Sequence, residues 1–290
     1  MKELIKLIDK KLDEYLQIEY PEDIFKSMKY TLMLPGKRLR PVMCLETVRM
    51  LGGNIENALP TACAIEMLHV QSLIHDDLPC MDNDDFRRGK PSNHKVFGEA
   101  NAVLAGDALL TYAPQLIIEK SKGKLSDETI LRLVHEYTKF AGAYALIAGQ
   151  VVDIESEGGK FTKSAEETLD FIHLNKTAVL FRLAVRSGAI LAGVNDKSLE
   201  ELDNFATKFG LAFQIYDDIM DEISTFEELG KTIGKDKNCG KLTYVSLYGI
   251  EKAKQKFSLL INECYDIVDK YDSKIFKEIL DKLRDRILGV

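Results

Sequence analysis

The chain has 290 residues, 46% of them hydrophobic, and a formal net charge of −7. That apolar content excludes a disordered chain, and the acidic balance excludes a general nucleic-acid binder. Five scattered cysteines (Cys44, Cys63, Cys80, Cys239 and Cys264) show no CxxC spacing, which excludes a disulfide framework or thiolate zinc site and fits a reducing compartment. Met1 to Lys11 alternates charge with Leu and Ile at helical spacing and does not read as a secretory leader. No apolar run approaches the ~20 residues of a membrane span, so the expected location is cytoplasmic.

Taken in order, the elements are helices. Leu4, Ile5, Ile8, Leu12, Tyr15 and Leu16 follow an i, i+3, i+4, i+7 pattern, and so with small shifts do Leu169, Ile172, Ala178, Leu180 and Leu183. All seven prolines lie in the first 114 residues, so proline interrupts nothing beyond them. Ser164-Ala165-Glu166-Glu167 is a capping box that opens a helix to about Ala192. Strict two-residue alternation is scarce. The periodicity predicts an all-α fold with helices near 1–18, 22–34, 38–52, 57–78, 95–113, 127–154, 165–192, 196–224, 242–270 and 273–288. No Ser/Pro/Gly linker divides them, which favours one domain over residues 1–290. The charge-rich loops 82–93 and 224–241 each follow an acidic cluster.

The first cluster holds Asp76, Asp77, Asp82, Asp84 and Asp85, directly after an apolar run from Ala62 to Leu73. Like charges at the end of a buried helix require a counter-charge, and a hard divalent cation such as Mg²⁺ supplies one while keeping positions open for phosphate. Six residues separate Asp76 from Asp82, about 240° on an unbroken helix, but Pro79 removes a helical hydrogen bond and lets the chain curl back. The second cluster is Asp217-Asp218-x-x-Asp221, whose first and last members share a helix face. Alone it reads more readily as a solvated acidic stripe; two such clusters, each ending an apolar helix, point to two sides of one pocket. Asp82 to Asp85 is no Ca²⁺ loop, because Phe86 and Arg87 stand where a ligand and a glycine are needed. The 230–241 stretch lacks the glycine spacing of a Walker loop.

Cations accompany the acids. Gly36-Lys37-Arg38-Leu39-Arg40-Pro41 places three at a loop-to-helix junction, where free N–H groups also favour an anion, although a surface turn has the same composition. Arg87 and Arg88 carry forked donors suited to phosphate. His69 lies two turns before Asp76 on the same face; a lone histidine of this kind is more often a core residue. Lys176 sits in an apolar helix and needs a partner. Gln214 precedes Asp217 by three residues, and Lys231, Lys235 and Lys241 fall in the second charged loop. Two acidic clusters and two basic groups imply two polyanionic ligands, and the apolar helices between them imply greasy tails.

Together these residues resemble the trans-isoprenyl diphosphate synthases, the farnesyl and geranylgeranyl diphosphate synthase family. The likeness spans about residues 20 to 290. It rests on Gly36-Lys37-Arg38-Leu39-Arg40-Pro41, Asp76-Asp77-x4-Asp82 with Arg87-Arg88-Gly89, Gly149-Gln150-x-x-Asp153, and His173-x-x-Lys176-Thr177. Phe213-Gln214-x-x-Asp217-Asp218-x-x-Asp221 and Gly230-Lys231 with Lys241 complete it. The resemblance implies an all-α bundle around an apolar cavity, usually a homodimer. It implies that Asp76, Asp77, Asp82, Asp217, Asp218 and Asp221 hold three Mg²⁺ ions on an allylic diphosphate. Arg87, Lys176, Lys231 and Lys241 would contact that diphosphate. Gly36, Lys37, Arg40, His69 and Arg88 would hold isopentenyl diphosphate, and Thr177 and Gln214 would face a developing carbocation. Ionisation, condensation and proton loss would follow.

Three positions depart from the commonest pattern: Pro35 before Gly36, Asn83 for an aspartate, and Gln71 five residues before Asp76. At the last, with Ser72 beside it, bacterial farnesyl synthases usually carry an aromatic that blocks chain growth, so Gln71 points to a geranylgeranyl product. The inserted Pro79-Cys80 pair is typical of short-product enzymes and points the other way. The rival readings are a class I terpene cyclase and a non-catalytic isoprenoid-diphosphate-binding partner subunit.

Overall fold

The computed structural model describes residues 1–157, 162–223 and 242–289. Helices α1 (Lys2–Tyr15), α2 (Glu22–Leu32), α3 (Leu39–Met50) and α4 (Ile55–Asp76) open the chain. A two-residue hairpin follows, β1 (Phe86–Arg87) with β2 (Lys90–Pro91), which among the described residues contains the only strands. Then come α5 (Asn93–Phe97), α6 (Glu99–Ser121), α7 (Asp127–Ala141), α8 (Leu146–Glu157) and α9 (Ala165–Ile172). A π-helical stretch, His173–Ala178, leads into α10 (Val179–Leu191) and α11 (Asp196–Ile223). The last described helices are α12 (Tyr244–Tyr248), α13 (Ile250–Val268) and α14 (Lys274–Leu288). No described helix is long and apolar enough to cross a membrane.

The expected all-α architecture is what forms, with α6 running on through Pro114 to Ser121 beyond its expected end at 113 and with four other local differences. Glycines cause three of them. The run 127–154 breaks at Gly142, where an extended backbone ends α7 and the Ala145 N–H donates to the Gly142 carbonyl at 3.1 Å. Gly98 (φ 82°) separates α5 from α6, and Gly249 (φ 81°) separates α12 from α13; both occupy the left-handed region where a side chain is strained. The fourth is the π segment inside 165–192. Its entry is as the sequence requires: Ser164 and Glu167 form the reciprocal capping box, at 3.1 and 3.2 Å.

Helix α4 is almost wholly buried from Ala58 to Ile74, packed by α6 on one side and by α3 and α10 on others. Helix α11 packs on α10, α13 and the π segment. Helix α11 brings Phe205, Phe209 and Phe213 to an aromatic core shared with Phe181 of α10 and Phe276 of α14, with ring centroids 5.0–6.2 Å apart. Helix α10 packs on both α4 and α11 and so sets their relation, and the acidic clusters stand at the C-terminal ends of those two helices. Two close approaches require glycine: at Gly188 a Cβ would lie 2.6 Å from the Cys44 carbonyl oxygen of α3, and at Gly149 one would lie 2.5 Å from the Lys176 backbone nitrogen.

Candidate active site

The end of α4 folds as Pro79 allows. The helix stops at Asp76, and the Asp82 N–H turns back to donate to the Asp76 carbonyl at 2.9 Å, while Asp84 N–H reaches the Asp77 carbonyl at 3.2 Å. Residues six apart in sequence are thus brought together at the backbone, and Asp82 lies close enough to act on the Asp76 carboxyl. Asp77 points inward and is buried, and both its oxygens accept from Arg87, whose Nε stands at 3.0 and 3.2 Å and whose Nη2 also donates to it. Asp84 lies 3.5 Å from the same guanidinium. Asp76 keeps its side chain half-buried in the crevice. Burial, outweighing Lys176 and Arg87 and reinforced by Asp82 and Asp153, pushes its carboxyl up to about 6. This is an acidic group short of positive charge.

The facing side is built on the π segment. Lys176 Nζ donates to Asp153 Oδ2 of α8 at 2.5 Å, which supplies the partner its burial demands. Gly149 makes this possible by letting α8 touch the π-segment backbone one turn earlier. Thr177 donates to Gln214 Oε1 at 2.6 Å, and Gln214 Nε2 donates to Asp218 Oδ1 at 2.8 Å. Asp218 also accepts the Tyr244 N–H at 2.7 Å and lies 3.7 Å from His173 Nε2. Asp218 is therefore a buried junction of α11, α12 and the π segment, whereas Asp217 and Asp221 remain half-buried. The Gln214 amide points at Asp218 and not along the Asp217 face. Gln150 Nε2 is buried without a partner.

The basic loop divides its three cations. Arg38, in the left-handed region (φ 46°) at the start of α3, turns inward and is buried. It donates to Asp9 of α1 at 2.7 Å, to Glu66 of α4 at 2.8 Å, and to the carbonyls of Leu32 and Leu34. Arg38 is thus a structural rivet, and Lys37 and Arg40 are left for a ligand, Lys37 exposed. Arg40 lies 4.6 Å over the Phe181 ring and 3.5 Å from His69 Nε2, and its Nε is buried without a partner. Burial pulls its pKa down to about 10 despite Glu66 and Asp217. Burial, then Arg40 and Arg88, hold His69 well below the usual histidine range, so it is neutral. Arg88 rests on Gly36, where a Cβ would lie 2.7 Å from Nη1, and donates to the Leu34 carbonyl at 3.2 Å. That contact joins the basic loop to the hairpin.

Asp76 feels Lys176 and Asp153, and Arg40 feels Asp217. The α4 end and the π-segment–α11 side therefore face each other across one crevice. The structure brings together Gly36, Arg40, His69, Arg87 and Arg88 on the first side and Lys176, Thr177, Gln214 and Asp217 on the second. Gln71 and Ser72 lie on α4 towards α6; Gln71 is bonded to His75 at 3.1 Å, and Ser72 donates to the His69 carbonyl at 2.8 Å. Lys231, Lys235 and Lys241 lie outside the described residues. Sequence reasoning missed Glu66, Asp9 and the Lys176–Asp153 pair. A glutamate within the apolar run 62–73 was the available signal for the first.

An all-α crevice with acidic helix ends and desolvated arginines defines a class that handles phosphorylated, tail-bearing substrates. A polyprenyl synthetase model matches residues 21–283. A dimethylallyltranstransferase of Fischerella ambigua is 48% identical over 267 residues, covering 92% of this chain and 76% of that protein. Geranylgeranyl pyrophosphate synthase 7, chloroplastic, of Arabidopsis thaliana is 45% identical, covering 94% and 78%. Among solved structures, a geranyltransferase from Helicobacter pylori, complexed with magnesium and isoprenyl diphosphate, superposes with a TM-score of 0.82 at 31% identity, covering 99% and 95%. The chain belongs to the polyprenyl synthetase family.

Proposed function

We propose that this chain condenses isopentenyl diphosphate with an allylic diphosphate (dimethylallyl, geranyl or farnesyl) and releases geranylgeranyl diphosphate, or farnesyl diphosphate as the shorter alternative. It is a prenyltransferase of the short-chain trans-isoprenyl diphosphate synthase type. The observation that carries this reading is a second, metal-independent anion site. Arg40 and Arg88 are desolvated beside neutral His69, and Arg40 has an unmet donor. A terpene cyclase binds one diphosphate and has no use for such a site, and a non-catalytic subunit has no use for two intact acidic clusters.

The residues fit Mg²⁺. Asp76 and Asp82 are hard oxygen donors brought together at the backbone, and Asp76 is short of positive charge. Among the described residues no three carboxylates, histidines or thiols form a protein-only cage. Mg²⁺ is commonly held by one or two carboxylates and completed by phosphate oxygens and water. In this reading Asp76, Asp77, Asp82, Asp217, Asp218 and Asp221 serve three Mg²⁺ ions, which when bound neutralise the allylic diphosphate as a leaving group.

The chain's own residues do the rest. Lys176 and Arg87 orient the allylic diphosphate, with Lys231 and Lys241 assigned to the same group. Lys37, Arg40, Arg88 and the neutral His69 hold isopentenyl diphosphate, and Gly36 lets the Arg88 guanidinium lie close. The allylic C–O bond breaks with its electron pair going to diphosphate. Thr177 and Gln214 turn hydroxyl and carbonyl dipoles towards the positive carbon in a dry cavity. The isopentenyl double bond forms the new C–C bond, and a proton passes to the released diphosphate. Gln71 and Ser72 border the growing tail.

The same reading takes 1–290 as one domain, supported by the burial of Leu4, Ile8 and Leu12 of α1 in the common core, and places it in the cytoplasm. It takes the assembly as a homodimer. Ile147, Val151 and Ile154 recur along α8 and stay exposed, as do Val103 and Leu104 of α6, which supports a covered face. One relative is a heterodimeric synthase large subunit, and mass measurement by light scattering separates the cases. The deciding experiment incubates the protein with Mg²⁺, isopentenyl diphosphate and each allylic diphosphate and sizes the products. No elongation from any primer would sink the proposal.

A further inference from the structure

Gln71 and His75 lie one turn apart on α4, and the His75 ring is seated on α6. Its Nε2 stands 3.0 Å from the Val103 carbonyl oxygen. A carbonyl only accepts, so Nε2 donates to it and the ring is held to α6. Nδ1 stands 3.1 Å from Gln71 Nε2. The Gln71 amide is thereby tied to the ring one turn along its own helix. The seat has no slack, because a Cβ on Gly106 would fall within the imidazole. Gln71 is only 9% exposed, so water offers its amide few alternatives.

We propose that His75, wedged between the Val103 carbonyl and Gly106 of α6, is a positioning residue that sets product length by holding the Gln71 amide along α4. This deepens the function proposed above and rests on it, since it requires a prenyl tail growing past α4. Held by His75, the Gln71 side chain folds towards the next turn of its own helix, and the surface it would otherwise cross stays clear. Released, the long side chain swings outward and meets the tail one isoprene unit earlier. Helix α6 takes part through backbone alone, one carbonyl and one missing Cβ, so its contribution to product length has no side-chain signature.

The test reads the ratio of farnesyl to geranylgeranyl diphosphate formed by the full chain with Mg²⁺, isopentenyl diphosphate and dimethylallyl diphosphate. His75→Phe keeps a ring but removes both hydrogen bonds. It should raise the ratio by about threefold, the scale of coupling between side chains in contact. Gly106→Ala, on the other helix, displaces the ring and should move the ratio the same way. In a Gln71→Ala background no amide remains to be held, so His75→Phe should then leave the ratio where it is. If the ring variants do not fold, Gln71→Met, matched in length but without the amide, must reproduce the shift. A His75→Phe effect that persists undiminished in Gln71→Ala, or an unmoved ratio in folded Gly106→Ala or Gln71→Met protein, overturns the proposal while elongation itself stands. No elongation by the unaltered chain removes the parent function and this inference with it.

Discussion

Gly149→Ala tests how the two sides of the crevice are spaced. The added Cβ would lie 2.5 Å from the Lys176 nitrogen and 2.6 Å from the Asn175 carbonyl carbon, both backbone atoms that cannot rotate away. Ordinary contact begins at 3.4 Å, so α8 must retreat from the π segment by about 0.9 Å. Overpacking of this kind costs about 1–3 kcal/mol, which for a chain of this size lowers Tm by roughly 2–5 °C. The retreat carries Asp153 with it, and a Lys176–Asp153 bond that starts at 2.5 Å lengthens to about 3.4 Å, the weak end of the hydrogen-bonding range. Lys176 then loses its orientation, and turnover should drop by about tenfold, equivalent to ~1.4 kcal/mol of transition-state stabilisation. Calorimetry and steady-state kinetics with varied allylic diphosphate read the two effects. Gly123→Ala is the control, since no atom lies within 4 Å of its Cβ and only left-handed strain (φ 76°) is added; it should lower Tm slightly and leave kcat alone. Unchanged Tm and kcat/KM in Gly149→Ala would refute the spacing argument.

Other outcomes follow from the same geometry. Glu66→Gln removes the carboxylate shared by buried Arg38 at 2.8 Å and Arg88 at 3.9 Å. It should cost about 3 kcal/mol by chemical denaturation and raise KM for isopentenyl diphosphate more than for the allylic substrate; equal changes in both would refute the assignment. Burial lowers the His173 pKa from 6.5 to about 4, so between those values the unfolded chain takes up a proton that the folded chain refuses. Its contribution is whole above pH 6.5, declines as pH falls and is lost below about 4, by up to about 3 kcal/mol. His173→Gln should flatten that part of the stability–pH curve, and an unchanged slope would count against it. Asp76→Ala should abolish turnover with helical circular dichroism intact; retained activity would remove its metal role.

What the sequence disclosed and what it hid divide along physical lines. Helix periodicity, the Ser164 capping box and the Pro79 curl are local, and each is present in the structure. The breaks at Gly98, Gly142 and Gly249 were hidden because a single glycine is tolerated inside a helix, and only its backbone torsions decide, a positive φ at Gly98 and Gly249 and an extended ψ at Gly142. Of the cations in the basic loop, Arg38 looked equivalent to Lys37 and Arg40. Its fate was set by Asp9 and Glu66, 29 and 28 positions away, and no local pattern reports such pairing. The partner of Lys176 was hidden for the same reason, although Gly149 and Asp153 stood in one quoted motif.

The π segment also makes length, and not composition alone, a property of this site. Residues His173–Ala178 form a wider turn than the α-helix on either side. Deleting one residue there offers the backbone an easy return to ordinary α geometry. The helix would survive, and α9 and α10 would keep nearly the same relative phase, because six π residues and five α residues turn through almost the same angle; but the side chains within the segment would be redistributed around the axis, and Lys176 would lose its alignment with Asp153. This stretch should therefore accept substitutions at its outward positions and reject single-residue insertions or deletions, even those that leave the helix as stable as before.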